Sequence, residues 1–289
     1  MRNATSQILL ITNLLFSSLL FGQIYVTSPN PDGNWVDTTY IVQTNINIAQ
    51  DATLTIAPGA TIKFDGHYVF EVRGSLIANG TETDSIIFEP NDPNTTNGSS
   101  WQGIKIRDNS WDNTHKVELS YFRISYASGN WPNAALVVYN KQSDNSGVDS
   151  VMISHGDIHG SSQDGVTVYN NRRNTNDGLA GTKPYVHLSN LHVHNNNTAG
   201  VRVEYNYESD IKIESLNVHD NNQDGVLIVY NYDETMISID SLRSVNNNQR
   251  GLYVYQLENG SKLKVRNGDF HSNQYHQVEV SYLYHPQNF

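Results

Sequence analysis

Tyrosine side chains recur at equivalent positions of a repeat, where their rings and hydroxyl groups could bind sugars. With Gly225 as the reference position of one repeat, tyrosines stand four, five or seven residues after the reference or its counterparts. The members of this tyrosine track are Tyr169, Tyr205, Tyr207, Tyr230, Tyr232 and Tyr255, followed by Tyr282 and Tyr284. Sugar rings present apolar faces and polar edges, which aromatic rings with hydroxyl groups suit. The alternative is a structural ladder that covers the edge of the core.

Histidines form a second column, six residues before the reference position. The column contains His159, His194, His219 and His271. Val245 interrupts it, and His192 lies two residues from His194 on the same strand face. Imidazoles in neighbouring repeats could share a divalent metal ion. Because no Asp or Glu stands in this column, the sequence predicts no metal, and His159, His194 and His219 are only candidate ligands. The alternative is a ladder of like residues produced by repeat duplication.

Two carboxylates, Glu214 and Asp240, stand eleven residues before the reference position in successive repeats. Carboxylates about 5 Å apart act as acid and nucleophile in retaining glycosidases, where one of them has a raised pKa. Arg266 occupies the same position in the next repeat. The alternative is therefore a surface ladder of charges in which Arg266 pairs with Asp240.

A basic insertion, residues 171–184, provides a further set of candidate catalytic groups. It contains Arg172, Arg173 and Lys183 in a chain that is otherwise acidic. A lyase that acts on polyuronates needs cations to neutralise the sugar carboxylate and an Arg or Lys as base. Insertions into repeat proteins form loops on one face, often the binding face. A polysaccharide lyase or glycoside hydrolase acting near this segment is thus the enzymatic alternative, and Ca²⁺ would be its cofactor only if it were a lyase.

A repeat of about 25 residues must position these columns. Its reference positions are Gly165, Gly200, Gly225, Gly251 and Gln277, which are 35, 25, 26 and 26 residues apart. One residue after them stand Val166, Val201, Val226, Leu252 and Val278, and further apolar residues follow at alternate positions. Strict alternation predicts strands with one buried face. The unit is too short for a propeller blade, so the pattern predicts an all-β solenoid, a parallel β-helix of about nine coils stacked about 4.8 Å apart.

Asparagines mark the turns of this repeat. Asn196-Asn197, Asn221-Asn222, Asn247-Asn248 and Asn273 occupy matching places shortly before the reference position. Asn tolerates a left-handed backbone and can bond the turn of the neighbouring coil. We expect the glycine that follows to supply the backbone conformation that re-enters the next strand.

The first part of the chain resembles a known family. Leu54-Thr55-Ile56-Ala57-Pro58-Gly59, Val72-Arg73-Gly74-Ser75-Leu76 and Trp101-Gln102-Gly103-Ile104 follow one another. These motifs are similar to the opening coils of the right-handed parallel β-helix proteins secreted by Gram-negative bacteria, which share the pectate-lyase-like fold. The resemblance implies a single-stranded, right-handed β-helix. Family members include polysaccharide lyases, hydrolases, epimerases and adhesins, but no catalytic signature of the pectin-degrading members is matched.

Composition and the amino terminus limit the possible locations and partners. Residues 1–22 have one charge, Arg2, before an apolar core, which is typical of a signal peptide, and residues 23–289 would form the β-helix domain, with a cap and first coil at 23–60. The net charge of −11 argues against nucleic acid as a partner. No later stretch is apolar enough to insert into a membrane. The chain has no cysteine, so disulfides are excluded.

These observations favour a secreted or cell-surface scaffold that binds carbohydrate through its tyrosine-rich edge. The titratable groups are scattered along the repeats, and no acid–base set converges in the sequence, so the prediction leans away from an enzyme. A purely structural, adhesin-like spacer is the remaining alternative. The sequence predicts neither the glycan nor the oligomeric state.

Overall fold

The computed structural model describes residues 22–92, 94–95, 100–107, 115–128, 133–139, 142–143, 150–173 and 183–283. Residues 1–21 of the predicted signal peptide, residues 174–182 of the insertion and Tyr284 lie outside this part of the chain. No helix that could span a bilayer occurs among the described residues.

The regular elements of the described residues are β-strands, numbered here in chain order, and every pairing is parallel. The largest sheet has thirteen strands: β1 (Ile24–Val26), β2 (Gly33–Trp35), β3 (Thr39–Val42), β5 (Thr53–Ile56), β6 (Thr61–Phe64), β8 (Ser75–Asn79), β9 (Ile86–Pro90), β11 (Lys116–Ser125), β14 (Ser150–His159), β17 (Tyr185–His194), β19 (Asp210–His219), β21 (Met236–Val245) and β23 (Lys262–His271).

A second sheet contributes one strand to each coil. Its nine strands are β4 (Ile46–Ile48), β7 (Phe70–Val72), β10 (Ile104–Arg107), β12 (Ala134–Tyr139), β15 (Asp164–Tyr169), β18 (Val201–Glu204), β20 (Val226–Asn231), β22 (Leu252–Leu257) and β24 (Val278–Leu283). A short pair, β13 (Gln142–Ser143) and β16 (Arg172–Arg173), forms a third sheet. Since each coil adds one strand to the nine-stranded sheet, the described chain makes nine coils of a right-handed parallel β-helix, as the sequence predicted.

Strand register confirms the predicted apolar columns. Val166 pairs with Val201, which pairs with Val226, and that residue pairs with Leu252. These side chains are at most 3% exposed and belong to one continuous core that runs through the stacked coils. At the amino-terminal end the same core is aromatic, with Trp101 stacked on Phe64 at 4.2 Å between ring centroids.

Left-handed residues bend the long strands of the large sheet into two faces. In the first coils these faces are separate strands, and β8 and β9 pair with the two halves of β11. From β11 onward each ten-residue strand passes through a residue with φ between 48° and 60°. These residues are Tyr121, His155, Asn190, Ser215, Ser241 and Asn267. Each coil is therefore three-sided, although from β11 onward two of its sides belong to one strand.

Buried asparagines connect the coils at the predicted turn. Asn221 Oδ1 accepts hydrogen bonds from the backbone N–H and side-chain amide of Asn196, at 3.1 and 3.0 Å. The backbone N–H and side-chain amide of Asn221 in turn donate hydrogen bonds to Asn247 Oδ1, at 3.1 and 3.0 Å. Asn247 bonds Asn273 in the same way, and Asn273 donates to Gln277 Oε1 at 2.9 Å. The side chain of Gln277 thus ends the ladder where the next coil would supply an asparagine.

The glycines beside this ladder have a different role from the predicted one. None of Gly165, Gly200, Gly225 and Gly251 is among the glycines with positive φ. A Cβ atom on Gly225 would instead lie 2.1 Å from Ser244 Oγ and 2.7 Å from Asn247 Nδ2. The expectation of a special backbone conformation was therefore wrong, because these positions need glycine for the close approach of the next coil.

The ladder predicts that Asn221 and its neighbour Asn222 differ sharply in their contribution to stability. Asn221→Ala leaves the buried backbone N–H of Asn196 without an acceptor and its side-chain amide with only the more distant carbonyl of Ile158, so we expect the free energy of unfolding to fall by about 3 kcal/mol. Asn222 is exposed, and its side chain bonds only exposed neighbours. Asn222→Ala should change stability by no more than about 0.5 kcal/mol. Urea unfolding followed by circular dichroism measures both variants, and equal losses would contradict the ladder.

Candidate functional site

Four members of the tyrosine track, Tyr169, Tyr205, Tyr230 and Tyr255, form an unbroken series of ring contacts. Tyr205 stacks on Tyr230 at 5.1 Å between ring centroids, with their planes 10° apart. Tyr169 meets Tyr205 edge-on at 5.8 Å, and Tyr255 meets Tyr230 edge-on at 5.3 Å. All of these side chains are half-buried. The rings therefore cover part of one another and leave an aromatic ridge that crosses successive coils.

A left-handed corner turns the track outward. Tyr205 and Tyr230 have φ of 54° and 53°. The next residue in each coil, Asn206 or Asn231, is fully buried, and the amide nitrogen of Asn206 donates to Asn231 Oδ1 at 2.9 Å. This second asparagine ladder, which the sequence analysis missed, also includes Asn171. These buried asparagines hold the backbone of the corner at Tyr205 and Tyr230 in place from the core side.

A second row of rings lies on the far side of the buried asparagines. Tyr207 stacks on Tyr232 at 5.2 Å, and a parallel bridge joins Arg172 to Tyr207. The Arg172 guanidinium lies 5.9 Å from the centre of the Tyr207 ring, a cation–π distance. Arg172, predicted as a catalytic candidate, is thus part of the tyrosine surface. The structure describes only the backbone of Arg173, paired with Ser143.

A small polar cavity of ≈ 250 Å³ lies beside Tyr169 on the nine-stranded sheet. Arg202 Nε donates to the buried Asp164 Oδ2 at 2.5 Å, and a second Arg202 nitrogen lies 3.8 Å from Glu204 Oε2. Burial raises the pKa of Glu204, and Arg202 offsets only part of this effect. Glu204 pairs in register with Tyr169. A carboxyl group with a raised pKa in a cavity is a candidate general acid, which the sequence analysis missed.

The predicted carboxylate pair is brought into register but not into a cleft. Glu214 and Asp240 are strand partners. A hydrogen bond from Lys212 lowers the pKa of Glu214, which also contacts His187 Nε2 at 2.7 Å. Asp240 accepts a hydrogen bond from Asn267 at 2.7 Å, and it forms no ion pair with Arg266, its strand partner, among the described residues. A retaining pair needs one carboxyl group with a raised pKa, and Glu214 has the opposite shift.

The histidine column gains a carboxylate from a neighbouring column. His194 stacks between His159 and His219, at 5.1 and 5.0 Å between ring centroids. Asp157, two residues before His159, lies with its Oδ1 3.0 Å from His194 Nε2 and 3.5 Å from His192 Nδ1. Asp157 was not predicted from the sequence, because it stands in a different column of the repeat from the histidines. The strand register, in which Asp157 pairs with His192, was the signal that could have found it.

The track also predicts a stability change at alkaline pH. Burial, together with the nearby carboxylate of Glu258, raises the pKa of Tyr232 to about 12, from 10.0. Between these two values the unfolded chain loses this proton before the folded chain does, so the free energy of unfolding must fall as the pH rises above 10. We expect the fall to be shallower for Tyr232→Phe in urea unfolding measured at several pH values. The same steep fall in that variant would contradict the assignment.

Comparisons with known proteins concern the fold. No protein-family model matches the chain, and comparison with curated proteins finds no match. Among solved structures, the chain is similar to the periplasmic alginate epimerase AlgG, with a TM-score of 0.36 and 11% identity over 89% of this chain and 80% of that chain. The A-module of the Azotobacter vinelandii mannuronan C-5 epimerase AlgE6 gives 0.24 and 12%, over 89% and 92%. At this level the likeness is one of chain arrangement alone and carries no argument about function.

Proposed function

We propose that this protein is a carbohydrate-binding β-helix that holds a polysaccharide chain along the tyrosine track. The observation that carries this proposal is the continuous series of half-buried tyrosine rings from Tyr169 through Tyr205 and Tyr230 to Tyr255. Rings supply apolar surface for sugar faces, and phenol hydroxyls supply donors and acceptors for sugar edges. Secretion, as expected from residues 1–22, would bring this surface to extracellular glycans.

The spacing of the rings suits a polymer better than a compact ligand. The contact Tyr205–Tyr230 repeats in the next row as Tyr207–Tyr232, at nearly the same centroid distance of 5.1 and 5.2 Å. Each coil therefore presents a similar group one step further along the solenoid axis. A linear polysaccharide also presents similar rings at regular intervals, and several weak contacts made by one chain reinforce each other.

The rigidity of the track should favour binding. Asn206 and Asn231 fix the corner between the two rows from inside, so the tyrosines have little freedom to lose when a ligand binds. Ordering a rotamer-rich side chain at an interface costs about 0.5–1.5 kcal/mol, and a preformed surface avoids much of this cost.

Charges around the track favour an uncharged polysaccharide. The carboxylates of Glu204 and Glu258 contribute to the raised pKa values of Tyr205 and Tyr232, so negative charge lies close to both rows. The whole chain has a net charge of −11. Arg172 places one cation at an end of the Tyr207–Tyr232 row. We therefore expect neutral polysaccharides to bind more tightly than polyuronates.

Substitution of three ring residues tests the proposal. In the variant Tyr205→Ala, Tyr230→Ala, Tyr232→Ala, the ring surface is lost, and we expect affinity for a neutral polysaccharide to fall at least tenfold in calorimetry or pulldown. Tyr275→Ala is the matched control, because Tyr275 is 67% exposed and outside the track, and it should bind as the unmodified protein does. Unaltered binding by a folded triple variant would reject the track as the site.

A second triple variant separates binding from packing. Replacing the same three tyrosines with phenylalanine keeps the stacked rings but removes their hydroxyl groups. We expect a protein of near-normal stability with weakened binding. Loss of thermal stability without loss of binding would favour the alternative in which the track is a structural ladder.

The Glu204 cavity favours a second candidate function, cleavage of the bound polysaccharide. Because the pKa of Glu204 is raised, this carboxyl group could donate a proton to the glycosidic oxygen. The cavity also adjoins Tyr169, the first ring of the track. Tyr169, which lines the cavity, precedes by two residues the segment 171–184, near which the enzymatic alternative was expected to act.

Product analysis decides this candidate. New reducing ends without ultraviolet-absorbing unsaturated sugars would indicate a hydrolase, and both products together a lyase, measured on neutral and uronic-acid polysaccharides with and without Ca²⁺. If the cavity is catalytic, Glu204→Gln should lower the rate at least a hundredfold, in line with general acid catalysis, while binding to the track persists. If folded protein forms no product from any of these polysaccharides, carbohydrate binding without cleavage remains the proposed function.

A further inference from the structure

A cluster of titratable side chains lies on the large sheet, on a different face of the solenoid from the tyrosine track. Asp157 (β14), His192 and His194 (β17) offer one ligand atom each, and these atoms lie within 4.8 Å of one another. His219 (β19) completes the cluster, with its Nε2 2.5 Å from His192 Nε2. All four side chains point outward and are partly buried, so the cluster is reachable from solvent.

The separations of the ligand atoms fit a first-row divalent metal. Zinc binds histidine nitrogen and carboxylate oxygen at about 2.0–2.2 Å, which places tetrahedral ligand atoms about 3.3–3.5 Å apart. Asp157 Oδ1 lies 3.0 Å from His194 Nε2 and 3.5 Å from His192 Nδ1. Both of these separations lie close to that range, and all three ligand atoms lie within 4.8 Å of one another.

The outer hydrogen bonds select the tautomers that ligation needs. His194 Nδ1 lies 2.6 Å from Asn195 Oδ1, which can only accept, so Nδ1 carries the proton. His219 Nδ1 donates in the same way to Asp220 Oδ2, at 2.6 Å. His219 Nε2 is then a free acceptor for a proton on His192 Nε2. This arrangement leaves His192 Nδ1 without a proton, and loss of the proton that His194 Nε2 donates to Asp157 Oδ1 at 3.0 Å would free the second nitrogen for a metal ion.

Anchoring of this kind is characteristic of metal-binding histidines. The nitrogen that does not bind the metal usually donates to a carboxylate, an amide or another acceptor, which fixes the ring. Two of these anchors are Asn195 and Asp220, both left-handed residues at the same corner of successive coils, with φ of 54°. The backbone therefore holds the outer acceptors in place.

The repeat contains an internal comparison. Asp269 and His271 occupy the two columns of the cluster in the last coil, with His271 Nε2 3.8 Å from Asp269 Oδ2. Arg243, however, pairs with Asp269 in register and places its guanidinium 3.7 Å from that carboxylate. In the last coil the guanidinium of Arg243 therefore lies beside the carboxylate, where two histidines lie beside Asp157. Duplication of the columns alone does not create the arrangement seen around Asp157.

We propose that Asp157 Oδ1, His192 Nδ1 and His194 Nε2 bind one Zn²⁺ ion, or another first-row divalent metal of similar preference, and that His219 orients His192. Imidazole and carboxylate ligands favour zinc, copper and nickel over magnesium and calcium. Three protein ligands leave one position for water or a substrate oxygen. Asn195 and Asp220 also line an open polar groove of ≈ 660 Å³, from which a ligand could approach that position.

Metal titration of untagged protein tests the site. After treatment with a chelator and its removal, calorimetry with Zn²⁺ should show one equivalent bound. Asp157→Ala and His194→Ala should each weaken binding at least a hundredfold. His219→Ala should weaken it about tenfold, as expected for an orienting partner. His271→Ala is the matched control and should bind as the unmodified protein does, since it removes a histidine from the same column outside the cluster.

A spectroscopic measurement keeps the proposal falsifiable if a variant folds poorly. Co²⁺ bound by two imidazoles and a carboxylate in a four-coordinate site should give strong visible absorption, which Zn²⁺ should abolish by competition. The conservative variant His192→Gln, confirmed as folded by its thermal transition, should lack this spectrum. Failure to bind Zn²⁺, Cu²⁺, Ni²⁺ or Co²⁺, or binding that persists in His194→Ala, would overturn the site.

Discussion

The hydrogen-bond ladders of buried asparagine are the interaction on which the rest of this structure depends. A parallel β-helix must turn at every face, and each turn would bury backbone N–H groups without partners. Asn221 solves this problem in its coil by accepting from the backbone of one neighbouring coil and donating to the side chain of the other. Because the ladder is fully bonded, it fixes the register between coils and also provides partners for the buried N–H groups of the turns. The apolar columns can then stack without slipping.

The constant register turns repeats of sequence into columns of side chains. Once Asn196, Asn221 and Asn247 are fixed one above another, every outward residue lies one coil from its counterpart. Tyrosines become a ridge of touching rings, and histidines become a stack of imidazoles. In both cases the chemistry follows from spacing along the solenoid axis, because single coils present too few groups to form a site.

This constraint explains how much was predictable from the sequence. Columns of like residues could be read directly from the period, so the core, the tyrosine track and the histidine column were placed in the right register. Sites that combine unlike columns were missed. Asp157 lies in a different column from His194, although His159 and His194 had already been aligned across the 35-residue step between Gly165 and Gly200. Glu204 was missed because it occupies the position held by Tyr169 and Tyr255 in other coils.

The two candidate sites share one backbone design. At the first corner a left-handed residue, Asn195 or Asp220, is followed by a buried asparagine and preceded by a histidine. At the second corner the left-handed residue is itself a tyrosine, as in Tyr205, and a buried asparagine again follows.

A left-handed residue bends the chain from one face of the coil to the next, so its own side chain lies outward while the next residue enters the core. The residue that enters the core is the buried asparagine, which is hydrogen-bonded to the coils on both sides. The outward side chains next to it are therefore held by the most constrained part of the coil. The corners therefore combine two properties that a binding site needs, exposure of the side chain and rigidity of its backbone. The tyrosine track and the histidine cluster both include residues at or next to such corners, among them Tyr205, His194 and His219.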